Sequence, residues 1–118
     1  IDPEQRFTDD LIWSAIDRCN LKPTISNLDS VVIPNEWSAG NRQLLAVCRV
    51  LLSKPTLLVM DEATASLDEH HEQLVLNVIE EHLRGCTVLT VAHRMAAVQR
   101  CERIIRLQAG EVVEDACK

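Results

Sequence analysis

Two short apolar segments, each ending in polar residues, constrain the fold of this chain more than any other feature. Residues 56–62 read Thr-Leu-Leu-Val-Met-Asp-Glu, and residues 86–94 read Cys-Thr-Val-Leu-Thr-Val-Ala-His-Arg. Such runs are typical of strands in a buried parallel sheet, whose chemistry lies at the carboxyl ends of the strands. Between them, residues 69–83 have the apolar spacing of a helix that Asp68 can cap. The sequence therefore predicts an α/β fold with two polar strand ends side by side.

Two amphipathic helices are predicted before this unit and a hairpin after it. Thr8 can cap the first helix, and Ser38 can cap a second helix that ends near Ser53 because Pro55 follows. The Gln-Ala-Gly segment at 108–110 separates two alternating runs and predicts a β-hairpin. The other expectations are a buried face of Leu11, Ile12, Ala15, Ile16 and Cys19 in the first helix, an irregular stretch over 24–37, and a short helix over 96–100.

The composition is that of one folded, soluble unit. The chain has 118 residues, of which 47% are hydrophobic, and no linker-like segment divides it. Its formal charge of −6 has the wrong sign for a chain that wraps a nucleic acid, so no such partner is expected. No apolar run reaches the roughly eighteen residues that a membrane span needs. The five cysteines form no CxxC pair and are expected to be reduced core thiols.

The two polar strand ends carry residue types suited to phosphoryl transfer. Asp61 places a carboxylate at a strand tip, and Mg²⁺ is usually held by one or two carboxylates together with phosphate oxygens and waters. Glu62 adds a second carboxylate that could orient an attacking water, and His93 could contact the transferred phosphate. The three glycines, at 40, 85 and 110, lie too far apart to form a phosphate loop of the GxxxxGK type.

Four segments resemble, in order and spacing, the motifs of an ATP-binding cassette. Residues 37–41 are similar to the LSGGQ signature, 57–62 to the Walker B strand, 66–68 to the D-loop, and 90–94 to the segment with the switch histidine. The chain resembles the carboxyl-terminal half of an ABC transporter nucleotide-binding domain. Within that family it is most similar to the second cassette of the C subfamily, the multidrug-resistance-associated-protein-like exporters.

This resemblance implies a partial P-loop NTPase fold over residues 1–118, with a helical signature region at 1–53. Residues 54–118 would hold the Walker B strand, the D-loop, the switch histidine, buried parallel strands and a terminal hairpin. The complete protein would bind and hydrolyse ATP with Mg²⁺ in a two-cassette dimer and drive export from the cytoplasmic face of a membrane. The implied partners are the amino-terminal (Walker A) half, a second nucleotide-binding domain and transmembrane domains. Without the Walker A half, we expect the isolated chain neither to bind ATP tightly nor to hydrolyse it.

The resemblance also assigns roles to matching positions. They are Asp61 as the Mg²⁺ ligand, Glu62 as the general base, His93 as the γ-phosphate sensor, Ser38, Gly40 and Asn41 as contacts to the nucleotide of the opposite cassette, and Asp68 as a contact between cassettes. Trp37, Ala39 and Asn41 stand where the signature has Leu, Gly and Gln. Because a methyl group at Ala39 restricts the backbone next to phosphate, we expect the site completed by this signature to turn over slowly.

Two other functions are open at this stage. One is the carboxyl-terminal half of a chromosome-maintenance or DNA-repair ATPase head, although such halves follow coiled coils and favour basic surfaces. The other is a noncatalytic interaction module. Several polar residues also have simpler explanations: Ser38 as a plain helix cap, and a solvated position for His70, His71, His82, Arg94, Arg100, Arg103 and Arg106.

Overall fold

The chain folds into three helices against a small parallel sheet, followed by a short helix and a hairpin. The structure, a computed structural model, describes all 118 residues except the side chain of Pro34. The elements are α1 (Asp9–Arg18), α2 (Ala39–Ser53), β1 (Leu57–Asp61), α3 (Glu69–His82), β2 (Thr87–Val91), α4 (Met95–Val98), β3 (Arg103–Gln108) and β4 (Glu111–Cys117). Between α1 and α2 there is a single 3₁₀ turn, Pro34–Glu36. This order confirms the predicted α/β class.

The hydrophobic core lies among the helices. α1 and α3 both pack against α2, and the largest fully buried side chains include Ile16, Leu21 and Leu44. Leu11 was predicted to face this core and is exposed instead, because the buried face of α1 follows Ile12, Ala15, Ile16 and Cys19. The apolar spacing of α1 could not tell whether Leu11 or the adjacent Ile12 faces the core, because both fit the helical repeat.

Helix ends follow the predicted capping residues in two of three cases. Ser38 Oγ accepts a hydrogen bond from the Asn41 backbone N–H at 3.1 Å and so caps α2. Asp68 caps α3 in the same way. Thr8 stands at the N-cap of α1 without a side-chain cap bond. α2 ends at Ser53, and the left-handed backbone of the C-cap residue Lys54 (φ 44°) turns the chain before Pro55.

The two predicted strands pair in parallel, but they are less buried than predicted. β1 and β2 pair in parallel from Leu57 opposite Thr87 to Asp61 opposite Val91. Met60 faces the core, whereas Val59 is 58% exposed and Leu89 57% exposed. Alternate residues of a strand face opposite sides, so one side of this sheet packs on the helices and the other stays open. The sequence could show that these strands are apolar on both faces, but not which element covers the second face.

The hairpin of β3 and β4 confirms the turn prediction. Ala109 and Gly110 both have positive φ, at 51° and 82°, which is the conformation of a tight two-residue hairpin turn. The pairing is antiparallel, with an irregularity between Arg106 and Leu107. Among the helices that the structure describes, none combines the length and hydrophobicity that a membrane crossing requires.

All five cysteines are free thiols, in three different environments. Cys19 and Cys48 are buried, Cys86 and Cys101 are partly buried, and Cys117 is exposed. The prediction of core thiols therefore holds for the first two and is wrong for Cys117, which lies at the end of the exposed strand β4. A hydrogen bond with Cys19, and then burial, raise the pKa of the Cys48 thiol. A thiol held neutral in this way is a packing residue.

Candidate functional site at the carboxyl ends of the parallel strands

The two parallel strands end together and hold the residues that follow them. Asp61 lies opposite Val91 in the pairing register. The Glu62 backbone N–H donates to the Val91 carbonyl at 2.8 Å, which extends the pairing by one residue. Glu62 itself has φ 47°, a left-handed conformation that a residue other than glycine rarely adopts. Such a backbone persists only where surrounding bonds enforce it, and it often marks a functional position.

The structure brings the side chains of Glu62 and His93 into contact. His93 Nε2 lies 2.8 Å from Glu62 Oε1. The contact is open to solvent, since the two side chains are 82% and 48% exposed respectively. A pair this exposed adds little to folding stability. A carboxylate and an imidazole within hydrogen-bond distance, open to a ligand, can instead hold a water and move its proton.

Asp61 suits a magnesium ion only as one ligand among several. It is an exposed carboxylate at the tip of β1, next to Glu62. No group of three His, Cys, Asp or Glu side chains in the described part of the chain could hold a metal ion alone. Mg²⁺ commonly takes one or two carboxylates and completes its coordination with substrate phosphates and waters. The donor set therefore fits a nucleotide-bound Mg²⁺ and not a closed metal cage.

A polar cluster around a buried carboxylate adjoins this pair, and the sequence did not reveal it. It consists of Thr64, Leu67, Glu72 and Arg94, and we call it the Arg94 cluster. Thr64 Oγ1 donates to Glu72 Oε1 at 3.0 Å, and Arg94 Nη1 lies 3.3 Å from Glu72 Oε2. The same nitrogen of Arg94 donates to the Leu67 carbonyl at 2.8 Å and the Thr64 carbonyl at 3.2 Å. Arg94 was predicted to be solvated; its side chain is 40% exposed, but its guanidinium is bonded within this cluster, which the prediction missed.

A second group of predicted residues gathers at the amino termini of α2 and α3. Asp68 accepts hydrogen bonds from the His71 backbone N–H at 2.9 Å and pairs with His71 Nδ1 at 2.7 Å. The His71 ring packs on Gly40, where an added Cβ would clash with His71 Cδ2. His71 is thus half-buried and bonded, not solvated as predicted. Its ring gives Gly40 a packing reason to be glycine, independent of any phosphate.

The acidity of Asp68 follows from these bonds. The His71 backbone N–H, and then the His71 side chain, lower the pKa of Asp68 from its ordinary value of 3.8. Both donors favour the ionised carboxylate. Asp68 therefore stays charged at neutral pH, and its negative charge sits at the amino terminus of α3, where the helix dipole favours it.

Comparison with known proteins decides the family. The family model described as ABC transporter matches residues 4–65 of this chain. The chain belongs to the ABC transporter family. The matched range of this ABC transporter segment includes Asp61 and Glu62 and ends before Asp68 and His93. Membership in this family implies a P-loop NTPase fold, of which the observed α/β arrangement is part.

Curated relatives extend the match along nearly the whole chain. ABC transporter C family member 3 of Dictyostelium discoideum is 44% identical over 120 residues, covering 97% of this chain and 8% of that protein. ABC transporter C family members 3 and 6 of Arabidopsis thaliana are each 41% identical, again over 97% of the chain and 8% of each protein. The chain thus spans about a twelfth of the length of these relatives. The predicted resemblance to the C subfamily is confirmed.

The other three arginines that were predicted to be solvated in this ABC transporter segment are also bonded. Arg100 donates to Gln73 Oε1 at 2.6 Å and Glu80 Oε2 at 2.9 Å, both on α3. Arg103 and Arg106 pair across the hairpin with Asp115 and Glu114. Unlike Arg94, these three bond at exposed carboxylates or amides. One signal in the sequence separates Arg94 from them: Glu72 falls on the buried face of α3, in helical register with Val75, Leu76 and Ile79.

Proposed function

We propose that this chain supplies the water-activating and phosphate-sensing residues of an ABC transporter nucleotide-binding domain. The observation that supports this most is the 2.8 Å contact between Glu62 and His93 at the ends of adjacent parallel strands. The Glu62 carboxylate can accept a proton from a bound water, and the His93 imidazole can donate a hydrogen bond to a phosphate oxygen. Both groups are reachable from solvent, as a site for a large polyanionic substrate requires.

The remaining predicted residues take roles around this pair. Asp61 would supply one oxygen to the Mg²⁺ that accompanies ATP, and the ion would neutralise charge on the phosphates. Ser38, Gly40 and Asn41, at the start of α2, would face the nucleotide of an opposite cassette, where a helix amino terminus favours an anion. Asp68 would lie at the contact between two cassettes. Ser38 can cap α2 and still contact a phosphate, because its hydroxyl accepts the capping bond and has its own proton to donate.

The open face of the sheet supports a partner from the same domain. Val59 and Leu89 are more than half exposed, and strands of a parallel sheet are ordinarily covered on both faces. A groove of about 210 Å³ between α2 and β1 is lined by apolar side chains and reaches Asp61. We propose that the amino-terminal half of the cassette covers this face and brings the phosphate loop beside Asp61.

The proposed setting is the second cassette of a C-subfamily exporter. The partners there are a second nucleotide-binding domain and the transmembrane domains, with this segment at the cytoplasmic face of the membrane. The relatives reported above are all named ABC transporters, which supports this setting over an ATPase head for DNA repair. The net charge of −6 agrees with that choice.

The test uses the complete transporter that contains this segment, reconstituted with its substrate. Glu62→Gln keeps the shape and removes the basic oxygen, so we expect ATP hydrolysis to fall about 10²- to 10⁴-fold. ATP binding should persist. His93→Ala should also lower hydrolysis, and Glu81→Gln, on the exposed side of α3, is the matched control and should not. Hydrolysis that survives Glu62→Gln at more than half its rate would refute the proposed role.

The isolated chain offers a second test. Its glycines cannot form a phosphate loop, so Glu62 has no positioned substrate. Calorimetry should show no micromolar affinity for ATP. Adding the amino-terminal half of the cassette should restore binding and hydrolysis, and wild-type Glu62 should be required for the hydrolysis. Restored binding of that half without any hydrolysis would favour the noncatalytic module.

A further inference from the structure

Glu72 is the one charged residue buried among the residues that the structure describes, and its burial needs a reason. Its relative exposure is 2%. A buried carboxylate is costly unless it is paired and hydrogen-bonded. The Thr64 hydroxyl satisfies one of its oxygens and the Arg94 guanidinium approaches the other, so the charge is compensated within the Arg94 cluster. Removing either partner would leave a carboxylate stranded in the interior.

Arg94 makes more contacts than this charge requires. One terminal nitrogen reaches the Leu67 carbonyl, the Thr64 carbonyl and the Glu72 carboxylate, all within 3.3 Å. The two carbonyls belong to the turn that links β1 to α3, which is otherwise held by backbone bonds from Ala65 to Glu62 and from Leu67 to Thr64. A guanidinium stays charged at every physiological pH, so these bonds do not depend on pH in that range.

The position of Arg94 in the chain connects this turn to the candidate site. Arg94 directly follows His93, Thr64 lies two residues after Glu62, and Leu67 directly precedes Asp68. The exposed Glu62–His93 contact is too weak to hold its own geometry. We propose that Arg94 is the positioning residue that ties the turn from Glu62 to Asp68 to the strand end carrying His93. Glu72 holds the Arg94 guanidinium in place from inside the fold.

This inference rests on the proposed function of Glu62 and His93, and it predicts a defect of chemistry without a defect of binding. Misplacing a catalytic group by about 1 Å can cost about a hundredfold in rate. In the complete transporter, Arg94→Gln should lower kcat for ATP hydrolysis about ten- to hundredfold and leave KM for ATP within about twofold. Arg100→Gln is the matched control because Arg100 also bonds to α3 but does not contact the turn. It should change neither constant.

Arg94→Gln also leaves Glu72 buried without a cation and could lower stability, so a second variant separates the two effects. The double variant Glu72→Gln with Arg94→Gln leaves no buried charge, and the amide at 72 can still bond to Thr64. Its thermal unfolding midpoint should return toward that of the wild type, while kcat stays low because the bonds to the Leu67 and Thr64 carbonyls remain absent. Recovery of kcat together with stability would show a purely structural role and overturn the inference.

Hydrogen–deuterium exchange in the same transporter gives a direct readout of the turn. The peptide covering 62–68 should exchange about tenfold faster in both Arg94 variants than in the wild type, while peptides from α2 should be unchanged in the double variant. An unchanged turn would overturn the inference. Glu62→Gln, measured in parallel, keeps the two proposals apart: if Glu62→Gln has no effect, the proposed function fails, and if it abolishes hydrolysis while Arg94→Gln does not slow it, only the positioning role fails.

Discussion

The helical part of this molecule and its parallel sheet both contribute apolar side chains, yet they are packed very differently. In the helices, α2 is covered on two sides and residues such as Leu44 are almost fully buried. In the sheet, Leu89 and Val59 remain more than half exposed although they belong to the strands that end at the candidate site. The helical part is packed within the chain, whereas one face of the sheet is open to solvent. The candidate site lies at the edge of this more exposed region.

The largest expected effect is a difference in the free energy of unfolding between two leucine-to-alanine variants, one in each region. Leu44→Ala removes a side chain that is 2% exposed, and it should lower the free energy of unfolding of the isolated chain by about 2–5 kcal/mol. Leu89→Ala removes one that is 57% exposed, and it should change that free energy by no more than about 0.5 kcal/mol. Urea denaturation followed by circular dichroism measures both.

The same pair in the complete transporter sharpens the comparison. If another part of the cassette covers the sheet there, Leu89→Ala should become destabilising in that protein while Leu44→Ala keeps its cost. Equal costs for the two truncations in the isolated chain would contradict the asymmetry of packing. A Leu89→Ala that stays neutral in the complete protein would contradict the covering layer.

The next effect tests the contact between α2 and α3. Gly40→Ala would drive a methyl group into the His71 ring, which Asp68 holds in place, and overpacking of this kind costs about 1–3 kcal/mol. The measurement is a double-mutant cycle by thermal or urea unfolding. In a His71→Ala background the same change should cost close to nothing, because alanine is favoured over glycine in a helix. Additive costs in the two backgrounds would show that His71 is not the reason for glycine at 40.

Local rules predicted the elements well because each rule acts within a few residues. Ser38 and Asp68 cap the helices that they precede, and the Ala109–Gly110 turn closes the hairpin. The failures are of another kind. Val59 was expected to be buried and is exposed, because burial of a strand's second face depends on another layer and not on the strand's own residues. Periodicity reports the preference of a face and carries no information on what covers it.

In the candidate site too, some contacts could be predicted from the sequence and others could not. The contact of Glu62 with His93 was predictable, since adjacent parallel strands end at one edge of the sheet. Arg94 was assigned to solvent because an arginine next to other arginines usually lies at the surface. Its bonding depends on Glu72, a residue of another element, whose carboxylate is buried only because a cation approaches it. Pairings of this kind require three-dimensional information.

A smaller effect concerns the departures at the start of α2. Ala39 is the first residue of the helix and Asn41 bonds to the Ser38 cap, so both shape the backbone that would face a phosphate. Ala39→Gly with Asn41→Gln in the complete transporter should raise ATP turnover by less than about tenfold, or under ~1.4 kcal/mol in barrier. Steady-state hydrolysis measures it, and unchanged turnover would count against a slow site. Each single change should give part of the increase.

The smallest effect compares an exposed carboxylate of the helical part with one of the hairpin. Bonds from His71 lower the pKa of Asp68, and bonds from Arg103 lower the pKa of Asp115 in the hairpin. A lowered pKa means that each carboxylate stabilises the fold above its unfolded value near pH 4, and that this contribution is lost as pH falls below it. The thermal unfolding midpoint should therefore fall less between about pH 6 and about pH 2 in Asp68→Asn and Asp115→Asn than in the wild type.

At neutral pH the two variants should differ from each other. Asparagine keeps the cap at 68 but cannot replace the charge that Arg103 binds, so Asp115→Asn should show the larger loss of stability. Parallel pH profiles for wild type and both variants would mean that neither bond contributes to stability in solution.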